Sequence, residues 1–187
     1  VQEERAKEAV PEWIPETPLP KNTRDFKTPL YGMSSFGDLF TPRQLVALNT
    51  FSDLVGEAIE KVECDAKVVF PEKTNSPGKD VSLESGGNGP RAYAEAVGTY
   101  LGLAADKGSD YWSTISTWHS SKELIRNTFG RQAIPMSWDF SEANPFSSSS
   151  GNFFGAIGWI LETIQKFPSP TKSYSFQTQA QTQRLSQ

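Results

Sequence analysis

Cysteine and histidine are nearly missing from this chain, with one of each in 187 residues. Cys64 alone cannot form an intramolecular disulfide framework, and one cysteine with one histidine cannot build a zinc ribbon. A Ser–His triad would rest wholly on His119, and no Gly-x-Ser-x-Gly elbow accompanies it. Cys64 stands between Glu63 and Asp65, an unfavourable electrostatic setting for a thiolate nucleophile. Basic excess is lacking too. Eighteen Lys and Arg face 22 Asp and Glu, leaving a net charge of −4. That excludes a wholesale polyanion binder and leaves any nucleic-acid contact to a local patch. No apolar run approaches the ~18–20 residues of a membrane span, and the acidic start Val1–Glu8 does not have the form of a signal peptide. The expectation is a soluble cytoplasmic domain with no membrane partner, long enough to bury its own core.

Proline, by contrast, is concentrated at one end. Pro11, Pro15, Pro18, Pro20 and Pro29 punctuate residues 1–40, and each fixes φ and turns its predecessor away from helix. This predicts an extended arm over 1–40, reading as a chain arriving from elsewhere. Its apolar anchors Trp13, Ile14, Leu19, Phe26, Leu30 and Tyr31 need a surface to lie on. A helical domain over 41–167 follows, then a polar, glutamine-rich tail over 168–187. In that tail Tyr174-Ser175-Phe176 has no evident partner within the chain.

The helical domain begins with Thr41-Pro42-Arg43-Gln44, a capping box with proline at the first helical position. Leu45, Leu48, Phe51, Val55, Ile59 and Val62 then recur at spacings of three and four, predicting an amphipathic helix of about six turns. A short strand is expected at Lys67–Phe70, within a stretch that is mostly loop. Pro90 opens a second helix with Tyr93, Ala96, Val97, Tyr100, Leu101 and Ala104 on its face, stopping near Gly108. Tyr111–Trp118 reads as strand or turns. Ser120 or Ser121 is expected to cap a third helix ending near Gly130. The serines at 147–150 are expected to cap a fourth, with Phe154, Ile157, Leu161 and Ile164 on one face. The fold class is therefore mainly α, about four helices with the N-terminal arm and short strands at most.

Three local patterns bear on chemistry. Gly86-Gly87-Asn88-Gly89 before a helix invites a phosphate-loop reading. Its spacing is not Gly-x-Gly-x-x-Gly and no Gly-Lys-Ser/Thr follows, so a flexible helix entry is the better reading. Asn144-Pro145-Phe146 is one proline short of the Asn/Asp-Pro-Pro-aromatic turn with which amino-methyltransferases hold a flipped base. A buried turn packed by Trp138, Phe140 and Phe146 is the expectation there. Arg126-Asn127-Thr128-Phe129-Gly130-Arg131-Gln132 is the densest cluster of nucleic-acid-reading side chains. Arg126, Asn127, Arg131 and Gln132 are the candidate DNA contacts, with Arg43 and Gln44 as a second contact. The competing reading has the arginines clamping local acids such as Glu123, Asp139 and Glu142.

Longer phrases carry a family resemblance. They are Trp13-Ile14-Pro15 with Leu19-Pro20, Tyr31-Gly32-Met33, Gly37–Leu45, Tyr93–Val97, Arg126–Met136 and Trp138–Ser147. Together they resemble the large zinc-ribbon-containing adenine-specific DNA methylases found among prokaryotic defence genes, from about Glu12 to about Thr182. The resemblance implies a segment of a parent α/β methyltransferase that moves a methyl group from S-adenosylmethionine to adenine N6. In that family the cofactor loop and the zinc ribbon lie upstream of this region, and the catalytic Asp-Pro-Pro-Tyr lies downstream. None of these is present here, so the implied role is a central, non-catalytic segment with no cofactor of its own. It would hold DNA or pack on the missing catalytic parts. Gln179 stands where the family tends to have an aspartate, a candidate cofactor contact. The alternative is a stand-alone helical protein-interaction module using the aromatics of the arm.

Overall fold

The computed structural model describes residues 9–69 and 80–167. The capping box forms as its residues dictate. The Thr41 backbone N–H donates to Gln44 Oε1 at 2.8 Å, and the Gln44 N–H donates to Thr41 Oγ1 at 3.3 Å. From this cap helix α1 runs over Pro42–Val69, nearer eight turns than six. Leu45, Leu48, Phe51, Val55, Ile59 and Val62 are all buried or half-buried, and buried Ala66 extends the stripe. The strand expected at Lys67–Phe70 is therefore replaced by helix through Val69; Phe70 lies outside the described residues. The added turns carry Lys61–Asp65 and Lys67–Glu63 ion pairs at i,i+4, which favour helix over strand.

Helix α2 covers Pro90–Ser109, with Gly89 as N-cap and Pro90 at the first position. Its inner face is small: Ala92, Ala94, Gly98, Ala104 and Ala105 are buried, while Tyr93 and Tyr100 of the expected face are exposed. The reason is the closeness of α1. The side chain of Ile59 occupies the space that a Cβ on Gly98 would need. Large rings cannot fit such an interface, so they turn outward. The two helices run antiparallel, because Phe51 meets Trp112 just past the end of α2 while Ile59 meets Gly98 in its middle.

The third expected helix is absent. Its place is taken by a hairpin in which β1 (Trp118–His119) pairs antiparallel with β2 (Leu124–Ile125). Glu123 has φ +50°, outside the helical region. The backbone donors find distant acceptors: Ile125 N–H goes to Ser150 Oγ and Arg126 N–H to Thr117 O, each at 2.8 Å. Helix α3 covers Phe153–Gln165. Asn152, rather than the preceding serines, caps it, its Oδ1 accepting from the Gly155 N–H at 2.6 Å. Phe153, Ala156, Ile157, Ile160 and Ile164 are half-buried, whereas Phe154 and Leu161 of the expected face are exposed.

The arm contributes directly to the core. Leu19 and Leu39 are buried with Ile115 and Ile134, and Phe26, Met33, Phe36 and Phe40 pack against them. Short 3-10 turns at Thr28–Tyr31 and Gly37–Leu39 bend the arm into place. Lone bridges Pro18–Ser35 and Phe26–Ile134 pin it. Trp13, Ile14, Leu30 and Tyr31 remain exposed. A second cluster joins Trp112, Ile125 and Ala143 to Ala47, Leu48, Phe51 and Tyr111. Among the described residues the protein is mainly helical, with three α-helices and one two-stranded sheet. No helix among them is long and apolar enough to cross a membrane.

Candidate functional site

Where α2 ends, β2 passes and α3 begins, the chain leaves a cleft of about 320 Å³. Trp112 is buried beside it, its Nε1–H donating to Gly151 O at 2.8 Å. The indole lies so close to Gly108 that a Cβ there would sit 2.9 Å from the ring. Small residues on the two helices, Ala104, Gly108, Gly155 and Ala156, leave the slot open. Tyr111, Phe153 and Trp159 supply aromatic walls. The Lys107 ammonium stands 5.2 Å from the Tyr111 ring centre and 5.8 Å from that of Trp159.

Asp110 controls the charge of this corner. It accepts from Lys107 Nζ at 2.8 Å, from Asn127 Nδ2 at 3.0 Å and from the Phe129 N–H at 2.8 Å. Its backbone carbonyl takes the Thr128 N–H at 2.7 Å. Burial acts to raise the carboxyl, but the bonds from Lys107, Phe129 and Asn127 outweigh it and hold Asp110 below the ordinary aspartate value. Beneath the same loop, Ser113, Ser116 and Thr128 are buried in a hydroxyl cluster, with Ser113 Oγ 2.6 Å from Thr128 Oγ1. The base of the 126–132 loop is thus locked from two sides.

The six candidate DNA contacts divide accordingly. Arg126, Arg131 and Gln132 are exposed, and among the described residues no hydrogen bond or ion pair engages their side chains. Asn127 lines the cleft and spends its amide N–H on Asp110. Arg43 forms a two-pronged pair with Glu142, Nε to Oε1 at 2.7 Å and Nη2 to Oε2. Gln44 is 4% exposed and serves the helix cap. The clamp on Glu142 therefore exists, but Arg43 supplies it rather than Arg126 or Arg131.

The remaining motifs resolve simply. Gly86–Gly89 leads into α2, where Asp80 Oδ1 already accepts the Arg91 N–H at 3.0 Å, filling the helix end with the chain's own carboxylate. The Asn144-Pro145-Phe146 turn closes on itself, Asn144 Oδ1 accepting from the Phe146 N–H at 3.0 Å. It is not the buried turn expected. Phe146 is 77% and Trp138 78% exposed, although Trp138 meets Tyr31 edge-on and Phe146 meets Phe51. His119 Nδ1 meets Ser121 Oγ at 3.2 Å within the hairpin. Among the described residues no group of His, Cys, Asp and Glu could hold a metal ion. Comparisons with protein-family models, curated proteins and solved structures return no match.

Sequence reasoning reached Asn127 but missed Lys107, Asp110, Trp112 and Trp159. The one local signal was Lys107-x-x-Asp110 followed by two aromatics at a helix end. The partners that make it a cleft lie further along the chain, between Leu124 and Trp159, on β2, the loops around it and α3.

Proposed function

We propose that this chain is the central, non-catalytic segment of an S-adenosylmethionine-dependent adenine-specific DNA methyltransferase of the cytoplasm. In this reading the parent enzyme binds the cofactor and carries the adenine-N6 chemistry on other segments. The 126–132 loop meets the DNA backbone, and the helices pack on the catalytic parts. The observation that carries it is the state of Arg126 and Arg131. Both are exposed and without an acidic partner among the described residues, in a chain of net charge −4. They also lie inside Arg126–Met136, one of the phrases that carry the family resemblance. Phosphate contacts must come from such cations, and the neighbouring amides suit base edges or phosphates.

The test is the double change Arg126→Ala/Arg131→Ala in the full chain. DNA affinity should fall, and the slope of its logarithm against the logarithm of salt concentration should drop by about 2, as expected for two lost phosphate contacts. An unchanged slope with a lowered melting temperature overturns the DNA contact. Incubation of the chain with labelled S-adenosylmethionine and DNA should give no methyl transfer, and transfer would refute the non-catalytic assignment.

The second reading, a helical protein-interaction module, is favoured by α3. It has no buried residue, and Phe154, Trp159 and Leu161 are exposed along it. Under that reading the chain shows no salt-dependent affinity for DNA at all.

A further inference from the structure

We propose that the cleft between α2, β2 and α3 binds an uncharged heteroaromatic ring system of purine size, stacked on Trp159. Size comes first. At about 320 Å³ the cleft lies at the small end of the ~300–1,000 Å³ typical of ligand sites, enough for a fused bicyclic ring with little attached. Shape comes second. Glycines and alanines on the two facing helices leave a slot, while Tyr111, Phe153 and Trp159 present rings along it. Trp159 is 66% exposed at the edge of an apolar cavity, and the Lys107 ammonium stands 5.8 Å from its ring centre, so a stacked ring would share Trp159 with that cation.

Charge decides the class. Among the described residues Lys107 is the one basic or acidic side chain lining the cleft, and Asp110 pairs with it at 2.8 Å. A phosphate or carboxylate would have to displace Asp110, which is also held by Asn127 and the Phe129 N–H. A cation would meet the lysine. The polar groups left over are complementary to a neutral heterocycle. Asn127 gives its N–H to Asp110 and keeps its carbonyl oxygen as an acceptor. Ser150 Oγ accepts from the Ile125 N–H and keeps its own hydrogen to donate. Ring nitrogens facing Ser150 and an exocyclic amine facing Asn127 satisfy both. A free nucleoside and an unstacked base of a strand offer the same surface. Nothing in this assignment depends on DNA contact by the 126–132 loop.

The experiment titrates the full chain with adenosine, adenosine monophosphate, inorganic phosphate and a single-stranded deoxyadenosine oligonucleotide, read by amide chemical shifts. Adenosine should saturate in the millimolar range or below, shifting residues of the cleft. Trp159→Ala should weaken it roughly tenfold or more, the usual scale of one base–aromatic stack, with an unchanged melting temperature. Trp159→Phe should restore most of the affinity. An oligonucleotide that binds more tightly than adenosine but with the same Trp159 dependence supports the site and names a strand as its source. Absence of saturation by adenosine and by the oligonucleotide, or binding of either that ignores Trp159→Ala, overturns the proposal. Tighter binding of the monophosphate with phosphate alone competing overturns it as well.

Discussion

The side chain of Ile59 on α1 lies over the α-carbon of Gly98 on α2, so close that Cγ1 and Cδ1 both occupy the place of a missing Cβ. Helix propensity alone favours alanine over glycine there by about 1 kcal/mol. Packing opposes it. Ile59 is β-branched and held to one main rotamer on a helix, so it cannot swing aside, and overpacking costs about 1–3 kcal/mol. Gly98→Ala should therefore destabilise the protein by up to about 2 kcal/mol in urea unfolding. Combined with Ile59→Val the loss should be less than additive. Additive losses would mean that the helices separate freely.

Gly151 answers to a different constraint. Its φ is +81°, and a Cβ would stand 2.8 Å from that of Ala143 and 3.1 Å from that of Tyr111. Its carbonyl also holds the Trp112 indole. Gly151→Ala is expected to cost about 1–3 kcal/mol from strain and crowding together. The near-ultraviolet dichroism should change as Trp112 loses its anchor. A variant with native stability and native aromatic signal would contradict this account.

These two glycines also mark how far the sequence could be read. Helix starts at Pro42 and Pro90 were legible because cap, proline and periodicity all act within a few residues. The face of α2 was misread because Gly98 depends on Ile59, thirty-nine residues earlier. The helix expected after Ser121 failed for the same kind of reason. Ser150 and Thr117 take the backbone groups of the hairpin, and a local window contains no trace of Ser150. At the candidate site Asn127 stood out as an amide among arginines. Its engagement by Asp110 depends on tertiary structure and could not be read from spacing.

Arg43 and Glu142 tie the start of α1 to the segment before the Asn144 turn. The two-pronged geometry is good, yet the side chains are 46% and 39% exposed, so solvent screens most of the attraction. A double-mutant cycle with Arg43→Ala and Glu142→Ala should give a coupling of no more than about 1 kcal/mol, shrinking as salt is raised. A coupling of several kcal/mol, or one indifferent to salt, would show that the pair is buried in solution.

Asp110 makes the acid limb of stability predictable. Its side chain is 14% exposed, and its carboxyl is held below the ordinary aspartate value, as bonds from Lys107, Phe129 and Asn127 overcome the effect of burial. A carboxyl depressed in the folded state takes up its proton more readily when unfolded. Its contribution is therefore present above the unfolded value of ~3.9 and is lost as pH falls below that through the folded value. Asp110→Asn should cost about 1–3 kcal/mol at pH 7, because Lys107 loses its counter-charge and the 127–129 loop its anchor. The gap between variant and parent should narrow as the pH approaches ~3. Asp38, held low by Ser35 and Ser34 N–H groups, and Glu95, held low by the Leu83 N–H and Arg91, act equally in both proteins. The difference between the two stability curves thus isolates Asp110. A gap that stays constant down to low pH would show that its carboxylate charge does not hold the loop.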